Sequence, residues 1–325
     1  MSDFRFAIMG AGKIARRFCD AVERTEECCV SAVASKSIQR AQALCREKGI
    51  PSAWEGYREM LEKEKPDGVY IAATSDAHFE LASLCAQSGV PVLCEKSMFT
   101  SFREAEAFFR LAREKKVFAM EALWSRFLPV NQTAKRWIRE GRIGRVLFGE
   151  MHIGFEAPHD TENRYFNPHL GGGAANDLTV YGFQILPWMM GLPVKRFHAE
   201  AMPASTGVDA ESTVLLRLEE DVRAVIHSSL LCQAEEKLLI QGTEGRIVIP
   251  HAHWAQEAML LDKSGQETDR FRDEDTLKGF VGEIREVMRC VSAGLTESPV
   301  VPWKDVLLFG EVQDGIRSSM TEAEA

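Results

Sequence analysis

The chain has 325 residues, of which 45% are hydrophobic and 27% charged, and its formal net charge at pH 7 is −9. This length and composition predict a folded globular protein of two domains and exclude a disordered chain. The acidic balance argues against nucleic acid or an anionic membrane surface as a partner, since either ligand binds a cationic face.

The cysteines and the first residues indicate the compartment. The eight cysteines have neither metal-ligand nor disulfide spacing, so no metal site is predicted. An apolar strand, Phe4–Met9, follows the first residues without the basic and long apolar regions of a signal peptide. No apolar run approaches the roughly 20 residues that cross a bilayer. Reduced cysteines then predict a cytoplasmic protein.

Up to about residue 122, short apolar runs alternate with stretches of helical periodicity, as in βαβ units around a parallel sheet. The predicted strands are Phe4–Met9, Val30–Ala34, Gly68–Ala72, Pro91–Cys94 and Val117–Met120, and the predicted helices are Lys13–Arg24, Ile38–Lys48, His78–Ser88 and Ser101–Lys115. We therefore predict that residues 1–122 form an α/β domain with a Rossmann doubly wound parallel sheet that binds a dinucleotide.

Beyond Trp124, long apolar or alternating segments with short polar turns predict a large, mainly antiparallel sheet. Its predicted strands are Val146–Phe155, Val194–Met202, Ser212–Leu218, Arg223–Leu231, Lys237–Gln241, Arg246–Ile249 and Ala258–Leu261, after a helix at Val130–Glu140. Helices at Ala174–Met190 and Leu277–Ala293 are expected to cover one face. Residues 123–325 are thus predicted to form an α+β substrate and dimerisation domain, whose C-terminal helix can pack back on the first domain. The open face of the sheet predicts a homodimer.

The segment Gly10-Ala11-Gly12-Lys13-Ile14-Ala15 lies between the first predicted strand and the first predicted helix. This is the position of the G-x-G-x-x-A dinucleotide fingerprint. Gly10 permits the tight turn, Gly12 lets the backbone approach a pyrophosphate, and the N–H groups at the helix start bind anions. Residues 10–14 are therefore predicted to bind the cofactor; the alternative is a glycine-rich turn without a ligand.

The end of the second strand distinguishes NAD from NADP, because an acidic residue there bonds the ribose 2′-hydroxyl of NAD. No Asp or Glu occurs between Cys28 and Arg46, and the candidate residues there are Ser35, Lys36, Ser37 and Arg40. A cation flanked by hydroxyls suits a 2′-phosphate, so NADP is predicted over NAD. The alternative is that Lys36 is merely a solvated lysine.

The fourth predicted strand ends in Glu95-Lys96-Ser97. A carboxylate and an ammonium group are therefore predicted at the carboxyl edge of a parallel sheet, where doubly wound folds bind their ligands.

With these motifs the chain resembles the glucose-fructose oxidoreductase, inositol dehydrogenase and MocA family, and within it the branch of dimeric dihydrodiol dehydrogenases and NADP-dependent D-xylose dehydrogenases. The matching segments cover nearly the whole chain in family order, and MEALWSRFLP is the most specific for the branch. They are MGAGKIARRF (9–18), ATSDAH (73–78), VLCEKS (92–97), MEALWSRFLP (120–129), EGRIG (140–144), GGGAANDLTVYG (171–182) and LIQGTEGRIVI (239–249).

The resemblance implies that Lys96 lies beside the nicotinamide and the substrate hydroxyl, with Asp177 and Tyr181 opposite. Asp177 and Tyr181 are four residues apart in a predicted helix and share one face. Because a neighbouring ammonium lowers the pKa of a phenol, Tyr181 is predicted to exchange the substrate proton, Lys96 to tune it and Asp177 to orient the substrate. The alternative makes Tyr181 a core aromatic and Asp177 a helix-start residue.

The resemblance also implies contacts from the loops that follow the Rossmann strands. Candidate cofactor contacts are Thr74, Ser75, His78, Glu95, Lys96, Trp124 and Arg126, and candidate substrate contacts are Lys96, Trp124, Phe155, Asp177 and Tyr181, with Trp254 as a further candidate. His78 can equally be a helix-start residue without a chemical task.

The chain departs from the family pattern near these residues. Ser97 replaces a proline, which predicts that Lys96 is held less rigidly; Thr179 replaces a glycine, and Asn176 is more polar than expected. An NADP-binding regulator without turnover, resembling the galactose-pathway repressors, is therefore an alternative. Since Lys96, Asp177 and Tyr181 are all retained, an oxidoreductase acting on a small sugar, a trans-dihydrodiol or a dicarbonyl is favoured.

Overall fold

The computed structural model describes residues 3–158 and 160–322, which divide into two compact units. One unit comprises the residues up to 123 together with 280–310, and the other comprises 124–279 together with the residues from 311 onward. The sequence predicted a single boundary between residues 122 and 123, whereas in the structure the segment 280–310 also contributes to the first unit.

Parallel strands form the sheet of the first unit. They are β1 (Phe4–Met9), β2 (Cys28–Ala34), β3 (Ser52–Trp54), β4 (Gly68–Ile71), β5 (Val92–Glu95) and β6 (Ala119–Ala122). Their order is β3-β2-β1-β4-β5-β6, and every pairing is parallel. Every residue of β4 and β5 is buried, as expected for strands covered on both faces. The predicted Rossmann sheet is confirmed, since this is the strand order of dinucleotide-binding folds.

Helices connect these strands. They are α1 (Lys13–Val22), α2 (Ile38–Lys48), α3 (Tyr57–Glu64), α4 (Ser75–Gln87) and α5 (Phe102–Lys115). The sequence analysis did not predict β3 and α3. With three and eight residues, they are too short to establish a periodicity, which needs a window of roughly 11 to 18 residues.

The second unit contains a mainly antiparallel sheet of eight strands. After helix α6 (Pro129–Arg139) come β7 (Val146–Gly154), helix α7 (Val180–Met190), β8 (Val194–Pro203), β9 (Asp209–Leu218), β10 (Arg223–Ser229), β11 (Lys237–Gly242), β12 (Gly245–Pro250), β13 (Glu257–Asp262) and β14 (Glu267–Arg272). The order is β14-β13-β12-β11-β7-β10-β9-β8, and only β7 and β10 pair in parallel.

Residues along these strands alternate between a buried and a partly exposed face. In β11 and β12, for example, every second residue is buried. Helix α7 packs against β7 and β10, and α6 packs against β13 and β14, so both contribute to the cover of the buried face. The alternation that predicted a sheet covered on one side is thus confirmed in the second unit.

Two helices close the chain, α8 (Leu277–Ser292) and α9 (Trp303–Glu322). Helix α8 matches the predicted helix, but from Phe280 onward it belongs to the first unit, where the sequence analysis had expected it to cover the antiparallel sheet. Strand β14 was not predicted because its residues are mostly charged or polar. Within the described part of the chain, no helix is both long and apolar enough to cross a membrane.

Candidate active site

The glycine-rich turn after β1 has the geometry that a dinucleotide requires. Gly10 has a φ of +110°, and a Cβ there would lie 2.5 Å from the carbonyl oxygen of Ala72. Gly12 precedes the first turn of α1 and has open space where a Cβ would stand, and neither a side-chain cap nor an acidic residue occupies that turn. The N–H groups at the start of α1 are therefore suited to a pyrophosphate, so this turn fits the cofactor that the motif implies.

The serines after β2 make local hydrogen bonds. Ser35 is buried; its N–H donates to the carbonyl of Trp54 at 3.1 Å, and its hydroxyl accepts from the N–H of Ser37 at 3.3 Å. The Ser37 hydroxyl in turn caps α2 by accepting from the N–H of Arg40 at 3.4 Å. These bonds fix the loop and leave the side chains of Lys36 and Arg40 on the exposed surface.

His78 joins the loops that follow β4 and β5. It is buried in α4, with Nδ1 2.9 Å from the carbonyl oxygen of Ser97 and Nε2 3.1 Å from that of Ala73. Burial lowers the pKa of His78, although the surrounding carbonyl groups act in the opposite direction. Each ring nitrogen of His78 therefore has a backbone partner. At the start of the same helix, Thr74 is exposed and Ser75 is partly exposed.

The backbone around Lys96 is held from several sides. Its N–H donates to the carboxylate of Glu95 at 3.2 Å, and the N–H of Met98 donates to that of Glu121 at 2.9 Å. The Lys96–Ser97 peptide is cis, and Ser97 is fully buried. The Lys96 side chain itself is partly exposed at the carboxyl edge of the sheet. The sequence analysis expected Lys96 to be held less rigidly because Ser97 replaces a proline, and this stays a prediction.

Glu95 lies in a buried acidic environment. The phenol of Tyr70 donates a hydrogen bond to it. Burial and then the carboxyl groups of Glu95 and Glu283 raise the pKa of Tyr70 well above its ordinary value. Glu283 is itself fully buried, and burial followed by the charge of Glu95 raises its pKa. The carboxyl group of Glu95 turns inward to Tyr70. Its role as a cofactor contact stays a prediction.

In the second unit, Asp177 and Tyr181 lie at the start of one helical segment. A π-helical turn, Ala175–Thr179, leads directly into α7. Arg164 donates to Asp177 at 3.0 Å, and the Asp177 side chain is 16% exposed. The Tyr181 ring is buried and lies 4.9 Å from the ring of His253. The predicted one-turn spacing of Asp177 and Tyr181 is present, with a wider turn at its start.

Both departures from the family pattern in this helix have polar partners. The hydroxyl of Thr179 lies 2.8 Å from that of Ser212 on β9, and both are buried. The side chain of Asn176 donates to the carbonyl of Gly171 at 3.0 Å and accepts from Gln313 at 2.6 Å. A threonine and an asparagine are therefore accommodated because the surrounding chain satisfies their hydrogen bonds.

The start of this helix is fixed by a buried carboxylate that the sequence analysis missed. Asp209, the first residue of β9, accepts from the N–H of Ala175 at 2.7 Å. Gly173 has a φ of +115°, and a Cβ there would overlap the Asp209 carboxylate. Burial raises the pKa of Asp209 to about 7, against the lowering effect of the N–H groups that it accepts. Nothing in the local pattern distinguishes Asp209 from an ordinary strand-start residue.

The remaining candidates have close partners within the second unit. Arg126 is fully buried and donates from Nε to the backbone carbonyl of Gln184 and from Nη2 to its side chain, both at 2.8 Å. Trp124 is buried, and the ring of Phe155 meets that of Tyr165 at 5.1 Å. Trp254 is 36% exposed. The cofactor and substrate roles of these residues stay predictions. Among the described residues, no cluster of His, Cys, Asp and Glu is arranged to hold a metal ion.

Comparison with known proteins gives matches for both units. The model for the oxidoreductase family with an NAD-binding Rossmann fold matches residues 4–123, and the model for the GFO/IDH/MocA C-terminal domain matches residues 131–248. The trans-1,2-dihydrobenzene-1,2-diol dehydrogenase of Danio rerio is 31% identical over 323 residues, which cover 96% of each chain. That of Mus musculus is 29% identical and covers 97% of this chain and 96% of its own.

Solved structures share the fold over almost the whole chain. Levoglucosan dehydrogenase in complex with NADH and levoglucosan has a TM-score of 0.88 at 18% identity, covering 99% of this chain and 98% of its own. A variant of a 3-ketoreductase from Actinomadura kijaniata, in complex with TDP-benzene and NADP, has a TM-score of 0.86 at 22% identity and covers 98% of both chains. At these identities the likeness concerns the fold alone.

The raised pKa of Asp209 predicts a pH-dependent stability. The folded state keeps the Asp209 carboxyl group protonated up to about pH 7, whereas the unfolded state loses that proton near pH 3.9. The free energy of unfolding therefore falls as the pH rises between these two values and is level above them. The effect is at most about 4 kcal/mol, at 1.36 kcal/mol per pKa unit. Asp209→Asn cannot ionise, so its unfolding free energy should fall less than that of the wild type between about pH 4.5 and pH 7.5.

Urea unfolding at a series of pH values measures this difference. Asp76→Asn, which removes an exposed carboxylate from α4, is the control and should run parallel to the wild type. Parallel curves for Asp209→Asn and the wild type would contradict the raised pKa of Asp209.

Proposed function

This chain belongs to the GFO/IDH/MocA family of oxidoreductases, and we propose that it is an NADP-dependent dehydrogenase or reductase. Its proposed substrate is a hydroxyl or carbonyl of a small sugar, a trans-dihydrodiol or a dicarbonyl. The observation that carries the proposal is the likeness to a trans-dihydrodiol dehydrogenase across 96% of both chains. Sugar-processing enzymes among the structures of the same fold support the wider substrate class.

Three side chains are proposed to perform the chemistry. Tyr181 exchanges the proton of the reacting hydroxyl or carbonyl, and the ammonium of Lys96 favours its phenolate form. Asp177 accepts a hydrogen bond from a substrate hydroxyl, and its contact with Arg164 keeps the carboxylate oriented. A bound nicotinamide dinucleotide supplies or accepts the hydride. Tyr181 is buried and Asp177 is partly buried, which strengthens these interactions because little water competes for them.

Turnover tests these roles directly. Absorbance of the reduced nicotinamide is followed with NADPH or NADP against a panel of aldoses, trans-dihydrodiols and dicarbonyls. Tyr181→Phe should lower kcat by about 10²- to 10⁴-fold, since it removes the proton but keeps the ring. Lys96→Ala should have a similar effect, and Lys96→Arg, which retains the charge, should lose less activity.

The dissociation constant for NADPH serves as the control, because it should change little in Tyr181→Phe. Full turnover by Tyr181→Phe would contradict the catalytic assignment. Tight NADPH binding by the wild type without turnover across the whole panel would instead favour the alternative of an NADP-binding regulator.

The preference for NADP is proposed from the surface after β2. Lys36 and Arg40 are exposed there, and the stretch between Cys28 and Arg46 contains no acidic residue. A cation in this position donates a charge-assisted hydrogen bond to the 2′-phosphate of NADPH, whereas NADH lacks that phosphate and gains no such bond. The bond is expected to contribute about 1.5 to 3 kcal/mol, or at least about tenfold in affinity.

Dissociation constants measured by nucleotide fluorescence test this preference. The wild type should bind NADPH more tightly than NADH, and Lys36→Ala should weaken NADPH about tenfold while leaving NADH unchanged. Lys63→Ala removes an equally exposed lysine from α3 and should leave both constants unchanged. Equal affinity of the wild type for NADH and NADPH would defeat the proposal.

A homodimer is proposed through the outer face of the antiparallel sheet. One register row across that face is mostly apolar, with a single carboxylate at its centre. It runs through Leu215, Val225, Glu150, Leu239, Val248 and Met259. The neighbouring rows carry arginines on one side and histidines on the other, including Arg217, Arg223, His152 and His227. An apolar band with a polar border is typical of a surface that a second copy covers.

The cytoplasmic location stays a prediction.

Leu239→Lys tests this dimer with little cost to the fold. The new lysine stands opposite Glu150 in the sheet register, so an opposite-charge pair supports the monomer while a charge enters the apolar band. Sedimentation should show a dimer for the wild type and a monomer for the variant. Ser205→Lys, the same charge change on an exposed loop, should remain a dimer. A monomeric wild type would refute the proposal.

A further inference from the structure

The short strand β3 lies beside the loop that follows β2. Trp54, the last residue of β3, pairs with Ala34, the last residue of β2, in the parallel sheet. The carbonyl oxygen of Trp54 accepts from the N–H of Ser35 at 3.1 Å. Because the two strands are parallel, they end at the same edge of the sheet, which is the edge where doubly wound folds bind their ligands.

Helix α3 brings a phenol to this loop. Tyr57, the first residue of α3, is partly exposed, and its ring packs against the apolar core of the first unit. The backbone N–H of Lys36 donates a hydrogen bond to the phenol oxygen. The hydroxyl of Tyr57 therefore lies at the residue whose ammonium group is proposed to bind the 2′-phosphate.

The hydrogen of this phenol is available to a ligand. A phenol accepts and donates hydrogen bonds at the same time, and the oxygen of Tyr57 already accepts from Lys36. No acceptor for the phenol hydrogen is present among the residues that the structure describes. Burial raises the pKa of Tyr57, and the Lys36 N–H opposes this effect only in part. The phenol therefore keeps its hydrogen at neutral pH and is a donor.

The serine hydroxyls of the same loop are used within the protein. The hydroxyl of Ser37 donates to the side chain of Gln39 at 3.0 Å and accepts from the N–H of Arg40 at 3.4 Å. Ser35 is buried, and its hydroxyl accepts from the N–H of Ser37. The sequence analysis expected these two hydroxyls to flank a bound phosphate. The phenol of Tyr57 is better placed for that task because it is partly exposed and its hydrogen is not used.

We propose that Tyr57 is a specificity-determining residue for NADP, whose phenol donates a hydrogen bond to the 2′-phosphate. The exposed side chains of Lys36 and Arg40 supply positive charge, and Tyr57 adds a neutral donor held in one position by the loop. NADH carries a hydroxyl where NADPH carries the phosphate, so it gains no charge-assisted bond from the phenol. This inference rests on the proposed preference for NADP.

Dissociation constants for NADPH and NADH, measured by nucleotide fluorescence, test the inference. Tyr57→Phe removes only the hydroxyl and should weaken NADPH about tenfold, because a hydrogen bond to a charged group is lost. The constant for NADH should stay the same, which also shows that the variant is folded. Ser52→Ala removes a partly exposed hydroxyl from the other end of β3 and should leave both constants unchanged.

A double-mutant cycle separates a direct contact with the phosphate from an effect through the loop. If Tyr57 donates to the phosphate, Tyr57→Phe should still weaken NADPH several-fold when Lys36 is already Ala. If Tyr57 only fixes the backbone of Lys36, it should have no further effect in that background. The second result would overturn the direct contact.

The outcomes distinguish this inference from the proposed function. A wild type that prefers NADPH, together with unchanged NADPH binding by Tyr57→Phe, overturns the inference and leaves the proposed NADP preference intact. Equal weakening of NADPH and NADH also overturns it, because the phenol would then act on a part that both nucleotides share. Equal affinity of the wild type for both nucleotides contradicts the NADP preference and the inference with it. Binding is measured without substrate, so these results are independent of the proposed catalytic roles.

Discussion

The close approach of the Gly10 turn to the carbonyl of Ala72 sets the geometry on which the nucleotide-binding unit depends. It brings the ends of the first and fourth strands together, because no side chain fits between them. His78 continues the connection, with one ring nitrogen on Ala73 and the other on Ser97. The carboxyl ends of three neighbouring strands are thereby joined by the close approach at Gly10 and by the side chain of His78. The segment that carries Lys96 is held by this edge of the sheet.

The second unit positions its polar groups in a comparable way. The buried carboxylate of Asp209 accepts from the backbone at the start of the helical segment, and Gly173 is required because a side chain would overlap that carboxylate. This contact determines where the π-helical turn begins, and therefore where Asp177 and Tyr181 lie along it. Asp177 then meets Arg164, and Tyr181 meets His253. Partners for both side chains come from segments outside the helix.

Local pattern was enough to predict the Rossmann strands and most of the antiparallel sheet. Apolar runs and period-two alternation indicate which residues are buried, because both folds bury particular faces of their strands. The prediction failed for β3, α3 and β14, where the elements are short or polar. It also assigned α8 to the antiparallel sheet, although most of that helix lies in the first unit. A helix's periodicity shows that one face is buried but does not show against what.

The sequence by itself determined the class of fold, the glycine turn at the start of the first helix, and the placement of Asp177 and Tyr181 one turn apart. Each of these follows from residues that are neighbours along the chain. Only the tertiary structure decided which groups flank them. Arg164 with Asp177, Asp209 with Ala175 and Glu236 with His253 are separated by 13, 34 and 17 residues. Such pairs leave no periodic signal, because their geometry arises from how strands and loops pack rather than from the order of residues.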